Sequence, residues 1–309
     1  MSTELLLWLG FGLFLAVMLA LDLGVFHKNS HVVEFKEAIT WSGVWIGLAI
    51  IFNIGVFYFA GEVKGLEFLT GYLIEKSLSI DNVFIIALIF TYFNVPREYQ
   101  HRVLFWGVIG ALIMRAVLIA VGAVLITKFT WIIYIFGAFL IFTGFKMYFQ
   151  KDHKIDPDKN PLVKLSKKLI PVTDQYNKEK FFVVKEGKRF ATPLFLVLLL
   201  VETTDLIFAV DSIPAIFAIS KDPFIVFTSN AFAILGLRSL YFALAGVIHK
   251  FYYLKAGLSV ILVFVGIKML LIDIYKIPIG ISLGFIALVV IISIYASVQK
   301  NKSLENKSN

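Results

Sequence analysis

The chain has 309 residues, 59% hydrophobic and 16% charged, with a mean hydropathy of +0.87, far more apolar than a soluble domain needs for its core. With no cysteine it can form no disulfide, thioether-linked haem, iron–sulfur cluster or thiolate metal site, which leaves oxygen and imidazole as the available ligands. The formal net charge of +8 would suit a nucleic-acid partner on a soluble surface, but the basic residues fall in loops between apolar segments, and no nucleic-acid role is expected.

A membrane span needs about 20 mostly apolar residues. Nine segments meet that demand: 5–26, 42–60, 68–93, 103–127, 130–149, 192–219, 224–247, 254–273 and 278–298. The first, MSTELLLWLGFGLFLAVMLALDLGVF, lacks the basic start and small-residue cleavage site of a signal peptide, and reads as a retained helix. The expected fold class is therefore all-α, a polytopic membrane protein of about nine transmembrane helices. It forms a single membrane domain over 1–309: N-terminal helices in 1–62, a first repeat in 66–149, a basic loop in 150–191, a second repeat in 192–273 and a C-terminal helix at 278–298.

Loops on the N-terminal side carry Lys64, Lys128, Lys221 and Lys276. The other side carries Lys28, Lys36, Arg97, Arg102, Lys250, Lys255, the C-terminal lysines and the lysine-rich loop. The positive-inside rule then places the protein in the cell membrane with its N-terminus outside and its C-terminus in the cytoplasm. The basic loop reads as a topology signal against anionic headgroups, and its FFVVKEGKRFATP portion predicts a small β-hairpin. Trp41, Trp45 and Trp131 near span ends fit an interfacial belt.

Self-similarity gives the organisation. Glu75 and Asp81 are six apart in EKSLSIDNVF, as are Asp205 and Asp211 in ETTDLIFAVDSIPA. One helix later ALIMRAVLIAVG around Arg115 matches AILGLRSLYFALAG around Arg238. One helix later again IFTGFKMY matches VFVGIKML, pairing Lys146 with Lys268. Each copy has three spans, and because three is odd the second copy enters the membrane inverted. Inverted repeats meeting near the midplane are a recurring plan of secondary transporters.

Six acids lie in or near spans: Asp22, Glu75, Asp81, Glu202, Asp205 and Asp211. Each costs about 2.5–3.5 kcal/mol at a helix centre unless it finds a partner or water. Arg115 and Arg238 can neutralise two of them as structural ion pairs, while Lys146 and Lys268 sit near helix ends where they can snorkel, so an acidic excess remains. At ~100° per residue Glu75 and Asp81 point about 120° apart, so a shared site requires the segment to unwind, for which the Ser-rich SLSIDN and Pro214 are candidates. Glu75 and Asn82 share one face, as do Glu202 and Asp205. Two such faces, inverted and opposed, predict a central oxygen-rich cage of Glu75, Asn82, Glu202 and Asp205, which Asp81 and Asp211 join where their segments unwind, a ligand set for the hard cations Mn(II), Ca(II) and Mg(II). The excess of carboxylate over one divalent charge points to protons as the coupling ion.

His27, His31, His101, His153 and His249 show no zinc-ligand spacing and read as solvated loop residues. No phosphate loop, nucleophile elbow or dinucleotide fingerprint is present, and no enzyme is expected.

The stretches EKSLSIDNVF at 75–84, VETTDLIFAVDSIPAIFAI at 201–219, SNAFAILGLRSLYF at 229–242 and LDLGVF at 21–26 resemble the TerC family of integral membrane proteins. The resemblance spans nearly the whole chain. It implies an exporter built on inverted three-helix repeats, with a role in manganese homeostasis: efflux of Mn(II), or its supply to secreted proteins. It also implies that the metal is handled by Glu75, Asp81, Glu202, Asp205 and Asp211, with Asn82 and Asp22 as helpers. Asp22, Arg115, Arg238 and Asn230 are expected to serve transport or gating. Mn(II) is expected as transported substrate, with no permanently bound cofactor. The competing readings are an exporter of a cationic or zwitterionic organic solute and a membrane scaffold whose ion pairs are structural. The metal, the coupling ion and the oligomeric state stay open.

Overall fold

Lipid offers no hydrogen-bond partner to the backbone, so apolar segments of this length close their hydrogen bonds internally, as helices. The computed structural model describes residues 3–24, 33–149, 171–173, 175–185, 187–244 and 252–308. Five helices come first: α1 (Thr3–Gly24), α2 (Phe35–Ala60), α3 (Glu62–Tyr92), α4 (Arg97–Lys128) and α5 (Ile132–Phe149). A hairpin of β1 (Phe182–Lys185) and β2 (Lys188–Ala191) follows. Then come α6 (Pro193–Phe217), α7 (Pro223–Leu235), α8 (Leu237–Leu244), α9 (Leu254–Leu270) and α10 (Ile279–Ser308).

Every expected span overlaps a helix, the seventh being divided at Gly236 into α7 and α8. Among the described residues seven helical segments are long and apolar enough to cross a membrane, with α7 and α8 together forming one of them. The other two are α3, which is interrupted by charges, and α9, which has 17 residues. The outward surface carries Leu13, Ile51, Phe59, Ile113, Phe142, Ile207 and Ile291, an apolar coat that suits acyl chains and not water. The chain is an all-α polytopic membrane protein.

The polar helix α3 and the short α7 occupy the centre, against α2, α4 and α6. α1 joins this core through rings: Trp8 and Phe11 meet Phe224 and Phe227, and Phe14 meets Phe232. At the opposite side α5 and α9 form the tightest helix pair. Gly137 and Gly266 face each other so closely that a Cβ on Gly266 would stand 2.7 Å from the Gly137 carbonyl, and Ser259 Oγ donates to Gly144 O at 2.6 Å. Small residues let backbones approach in this way where no hydrophobic drive separates helix from lipid.

The expected hairpin is present, with Phe182 opposite Ala191 and Lys185 opposite Lys188. The segment leading into it docks on the corner between α3 and α4. Tyr176 Oη donates to Phe93 O at 2.8 Å, and burial pushes that phenol up to about 12, so it remains a donor at physiological pH. Glu179 lies 3.6 Å from Arg102 and 3.8 Å from His101.

Two sequence readings are corrected. His101 is no solvated loop residue: it is buried in the second turn of α4, where its Nδ1 lies 2.8 Å from Glu98 O. Trp45 is no interfacial residue either but is buried against Gly236. His27, His31, His153, His249 and residues 150–170 of the basic loop lie outside the described residues.

A branched side chain at the α5–α9 contact should therefore be far costlier than one at an open helical glycine. Gly266→Val is expected to destabilise by about 1–3 kcal/mol or more. Gly47→Ala, with nothing within 4 Å, should change little. Thermal unfolding of the two purified variants in detergent checks this.

Candidate functional site

The site begins with an arginine shut off from the surface. Arg115, on α4, is among the most completely buried side chains. A guanidinium there is tolerable only if its donors are met by acceptors and its charge by opposite charge. Its Nη1 donates to Glu75 Oε1 on α3, to Asn230 Oδ1 on α7 at 2.7 Å and to Ser212 Oγ on α6 at 3.1 Å. Its Nη2 donates to Asp205 Oδ1 on α6 at 3.3 Å. Asn82 Nδ2, on α3, donates to the same Asp205 oxygen at 3.2 Å, and Asn230 Nδ2 is committed to Val226 O at 3.1 Å. Glu75, Asn82, Asp205, Ser212 and Asn230 are all buried.

Local sequence explains which residues converge. Glu75 and Asn82 are seven apart and stack on one helical face, as do Asp205 and Ser212. α3 runs unbroken through 75–82, with Ser77 and Ser79 donating back to the carbonyls of Leu73 and Glu75 at 2.7 Å, and α6 continues past Asp211 with Pro214 inside it. The expected unwinding does not occur: the serines satisfy carbonyls of their own helix and free none.

The helical angle therefore decides where the second acid of each motif goes. Asp81 lies within electrostatic reach of Lys255 on α9, and Asp211 accepts from Thr143 Oγ1 on α5 at 3.3 Å and feels the charge of Lys146. The six residues of the expected cage thus lie in two places. Glu75, Asn82 and Asp205 surround Arg115, and Glu202 lies electrostatically next to Asp205. Asp81 and Asp211 turn toward the α5–α9 pair. Among the described residues no three His, Asp or Glu side chains stand close enough to hold a metal ion. Arg238 is buried in the first turn of α8. Asp22 is in the last turn of α1, its side chain outside the described residues.

Three oxygens of the cluster, Glu75 Oε2, Asp205 Oδ2 and Asn82 Oδ1, are buried with no hydrogen-bond partner among the described residues. Such groups are uncommon and call for an explanation. A cavity of about 20 Å³ lies against Asp205 and Asn82, walled by Thr204, Leu104, Gly107 and Leu237. That is room for about one water-sized occupant.

Several contributors were not singled out from sequence. Gly110 is the place on α4 where Glu202 lies, since a Cβ there would collide with the carboxylate. Lys76 Nζ reaches toward Ala233 O at 3.4 Å, at the carbonyl end of α7, where a cation complements the helix dipole. Thr143 and Ser212 also went unmarked, although the motif alignment that pairs Asp81 with Asp211 pairs Asn82 with Ser212.

Comparison with known proteins places this arrangement. The family model described as "Integral membrane protein TerC family" matches residues 60–304. A Myxococcus xanthus protein named "Uncharacterized membrane protein STKORF319" is 53% identical over 296 residues, covering 96% of this chain and 93% of its own. The Escherichia coli (strain K12) protein named "Putative membrane-bound redox modulator Alx" is 51% identical over 290 residues, covering 91% and 90%. A Rickettsia bellii protein named "Uncharacterized membrane protein" is 42% identical over 300 residues, covering 97% and 99%. No solved structure matches the chain.

The Arg115 network makes a sharp stability prediction. Arg115→Met strands two buried carboxylates and is expected to cost about 3–5 kcal/mol. The triple variant Arg115→Met, Glu75→Gln, Asp205→Asn should recover most of that loss, as read by thermal unfolding in detergent. A triple variant no more stable than the single one would remove the ion pairs as the reason for Arg115.

Proposed function

The chain belongs to the TerC family of integral membrane proteins, and from that premise we propose that it is a membrane transporter exporting a divalent metal cation, Mn(II) foremost. The observation that carries the proposal is the set of three unpartnered buried oxygens, Glu75 Oε2, Asp205 Oδ2 and Asn82 Oδ1, gathered at one guanidinium and, for Asp205 and Asn82, at one small cavity. Carboxylate and amide oxygens suit hard cations, and a chain without cysteine offers no soft ligand. In this reading Arg115 is the resident counter-charge that holds the acids while no cargo is bound. A cation entering from the cavity competes with it for Glu75 and Asp205.

The two motifs support an inverted pair of three-helix units. Each unit would contribute one acid to the centre, Glu75 from the first and Asp205 from the second. Protons fit as the coupling ion because Glu75, Glu202 and Asp205 outnumber Arg115 at this place. Orientation follows from the loop lysines, with the N-terminus outside and the C-terminus in the cytoplasm.

The redox wording attached to several relatives is compatible with this reading, since manganese is itself redox-active. A thiol couple in this chain is closed by its lack of cysteine. A second reading, a membrane scaffold with structural ion pairs, is favoured by the number of hydrogen bonds Arg115 already makes.

The deciding experiment is cation flux in proteoliposomes under an imposed pH gradient, with Mn(II), Ca(II) and Mg(II) supplied separately. Wild-type protein is expected to carry Mn(II), and Glu75→Gln or Asp205→Asn to lower the flux by about tenfold or more, equivalent to about 1.4 kcal/mol of lost stabilisation. Wild-type liposomes no more permeable than empty ones to all three ions would overturn the transporter reading in favour of the scaffold.

A further inference from the structure

The cargo site must be reached from water. A vestibule of about 730 Å³ opens where α3 ends and α4 begins, lined by Thr91, Asn94 and Arg97 and floored by Phe90, Gln100 and Tyr241. The cavity of about 20 Å³ against Asp205 and Asn82 is walled by Ile86, Leu104 and Leu237. These two trios are related position by position. Ile86 and Phe90 are four apart on α3, Gln100 and Leu104 four apart on α4, Leu237 and Tyr241 four apart on α8. Residues four apart share a helical face. The vestibule and the inner cavity are therefore consecutive chambers of one groove between the same three helices, one turn apart.

What divides them is a specific set of contacts. Tyr241 Oη donates to Gln100 Oε1 at 3.0 Å, across from α8 to α4. The Phe90 ring meets the Tyr241 ring edge-on with centroids 5.4 Å apart, across from α3 to α8. Gln100 Nε2 donates to Val95 O at 3.1 Å, which fixes the amide with its oxygen toward the tyrosine. Phe90 and Tyr241 are both buried. At the far end of the core α3 begins and α6 connects to α7. There Lys64 pairs with Asp222, and Ser220 Oγ donates to Glu67 at 2.5 Å.

We propose that Tyr241, Gln100 and Phe90 form the gate between the vestibule and the inner cavity, and that this gate is closed in the described conformation. The gate closes with a side-chain hydrogen bond and a ring contact, and it opens on a layer of Ile86, Leu104 and Leu237 that offers no ligand. A hydrated cation reaching it must shed water to enter a space about one water across. The gate thus couples entry to dehydration, and hard cations that surrender water slowly pass it slowly. The identity of the cargo rests on the transporter reading above, whereas the gate belongs to any water-borne solute using this groove.

The native absence of cysteine makes the test clean. Thr91→Cys places a thiol in the vestibule and Thr204→Cys places one in the inner cavity. The rate of modification by 2-aminoethyl methanethiosulfonate, a small cationic reagent, is read by intact mass on purified protein in detergent. The Cys at 91 is expected to react about tenfold or more faster than the Cys at 204, since protection follows local opening. Tyr241→Ala combined with Thr204→Cys is expected to abolish most of that difference. Gln100→Leu combined with Thr204→Cys keeps the bulk and removes the hydrogen bond, and should also accelerate the reaction. That variant serves where Tyr241→Ala lowers the thermal transition. Equal rates at 91 and 204 in the otherwise native chain, or a rate at 204 unmoved by either gate variant in folded protein, would overturn the gate. The assay contains no metal, so its failure is distinct from a failure to find Mn(II) flux.

Discussion

A buried guanidinium held by a glutamate, an aspartate, a serine and an asparagine fixes more of this structure than any single apolar contact. Arg115 projects from α4, and its partners come from α3, α6 and α7, so four helices must keep one register and one rotation for the bonds to form together. Apolar packing alone is tolerant of such slips, because lipid and helix surfaces are almost equally apolar. A buried ion network is not tolerant, since a missing partner leaves a charge in a medium that cannot solvate it. The position of Arg115 thus selects one helix arrangement among many that would bury the same leucines and phenylalanines.

The same constraint sorts the acids. With α3 and α6 unbroken, an acid six residues beyond the one that meets Arg115 must point about 120° away from it. Asp81 turns to Lys255 on α9 and Asp211 to Thr143 on α5. The assignment is crosswise. The first motif's outer acid feels the charge of a helix of the second half, and the second motif's outer acid hydrogen-bonds a helix of the first half. The close α5–α9 pair, with Gly137 on Gly266 and Ser259 on Gly144, is tied to the core from both sides.

How far the sequence carried the description follows from the range of the interactions involved. Helix positions, the hairpin at 182–191 and the break from soluble composition depend on local hydropathy and turn residues, and they were legible. The central acids were legible too, because an acid in an apolar segment is expensive wherever its partner lies. What was not legible is who partners whom. Arg115 meets Glu75 across 40 residues, Asp205 across 90 and Asn230 across 115, and no short-range pattern records such pairings. Gly110 had no signal at all, because its role is to leave space for Glu202. The expectation of an unwound SLSIDN failed for a definite reason: Ser77 and Ser79 hydroxyls bond to their own helix, which serine does as readily as it breaks one.

In the proposed transporter, stability and transport would make opposed demands on the central cluster, and the geometry offers a way to meet both. A guanidinium with every acceptor engaged would be an anchor too secure to move. Here Nε of Arg115 has no hydrogen-bond partner among the described residues, the contact to Asp205 is long at 3.3 Å, and one oxygen of each carboxylate is unspent. On the proposed reading, an incoming cation would begin to bind at the free oxygens of Asp205 and Asn82 before Arg115 releases anything, so that no intermediate leaves a carboxylate wholly unpaired. Were the free oxygens absent, exchange would require breaking the ion pairs first, at a cost of several kcal/mol. In the proposed transporter, the incompletely satisfied network lets the residue that holds the fold together also yield to cargo.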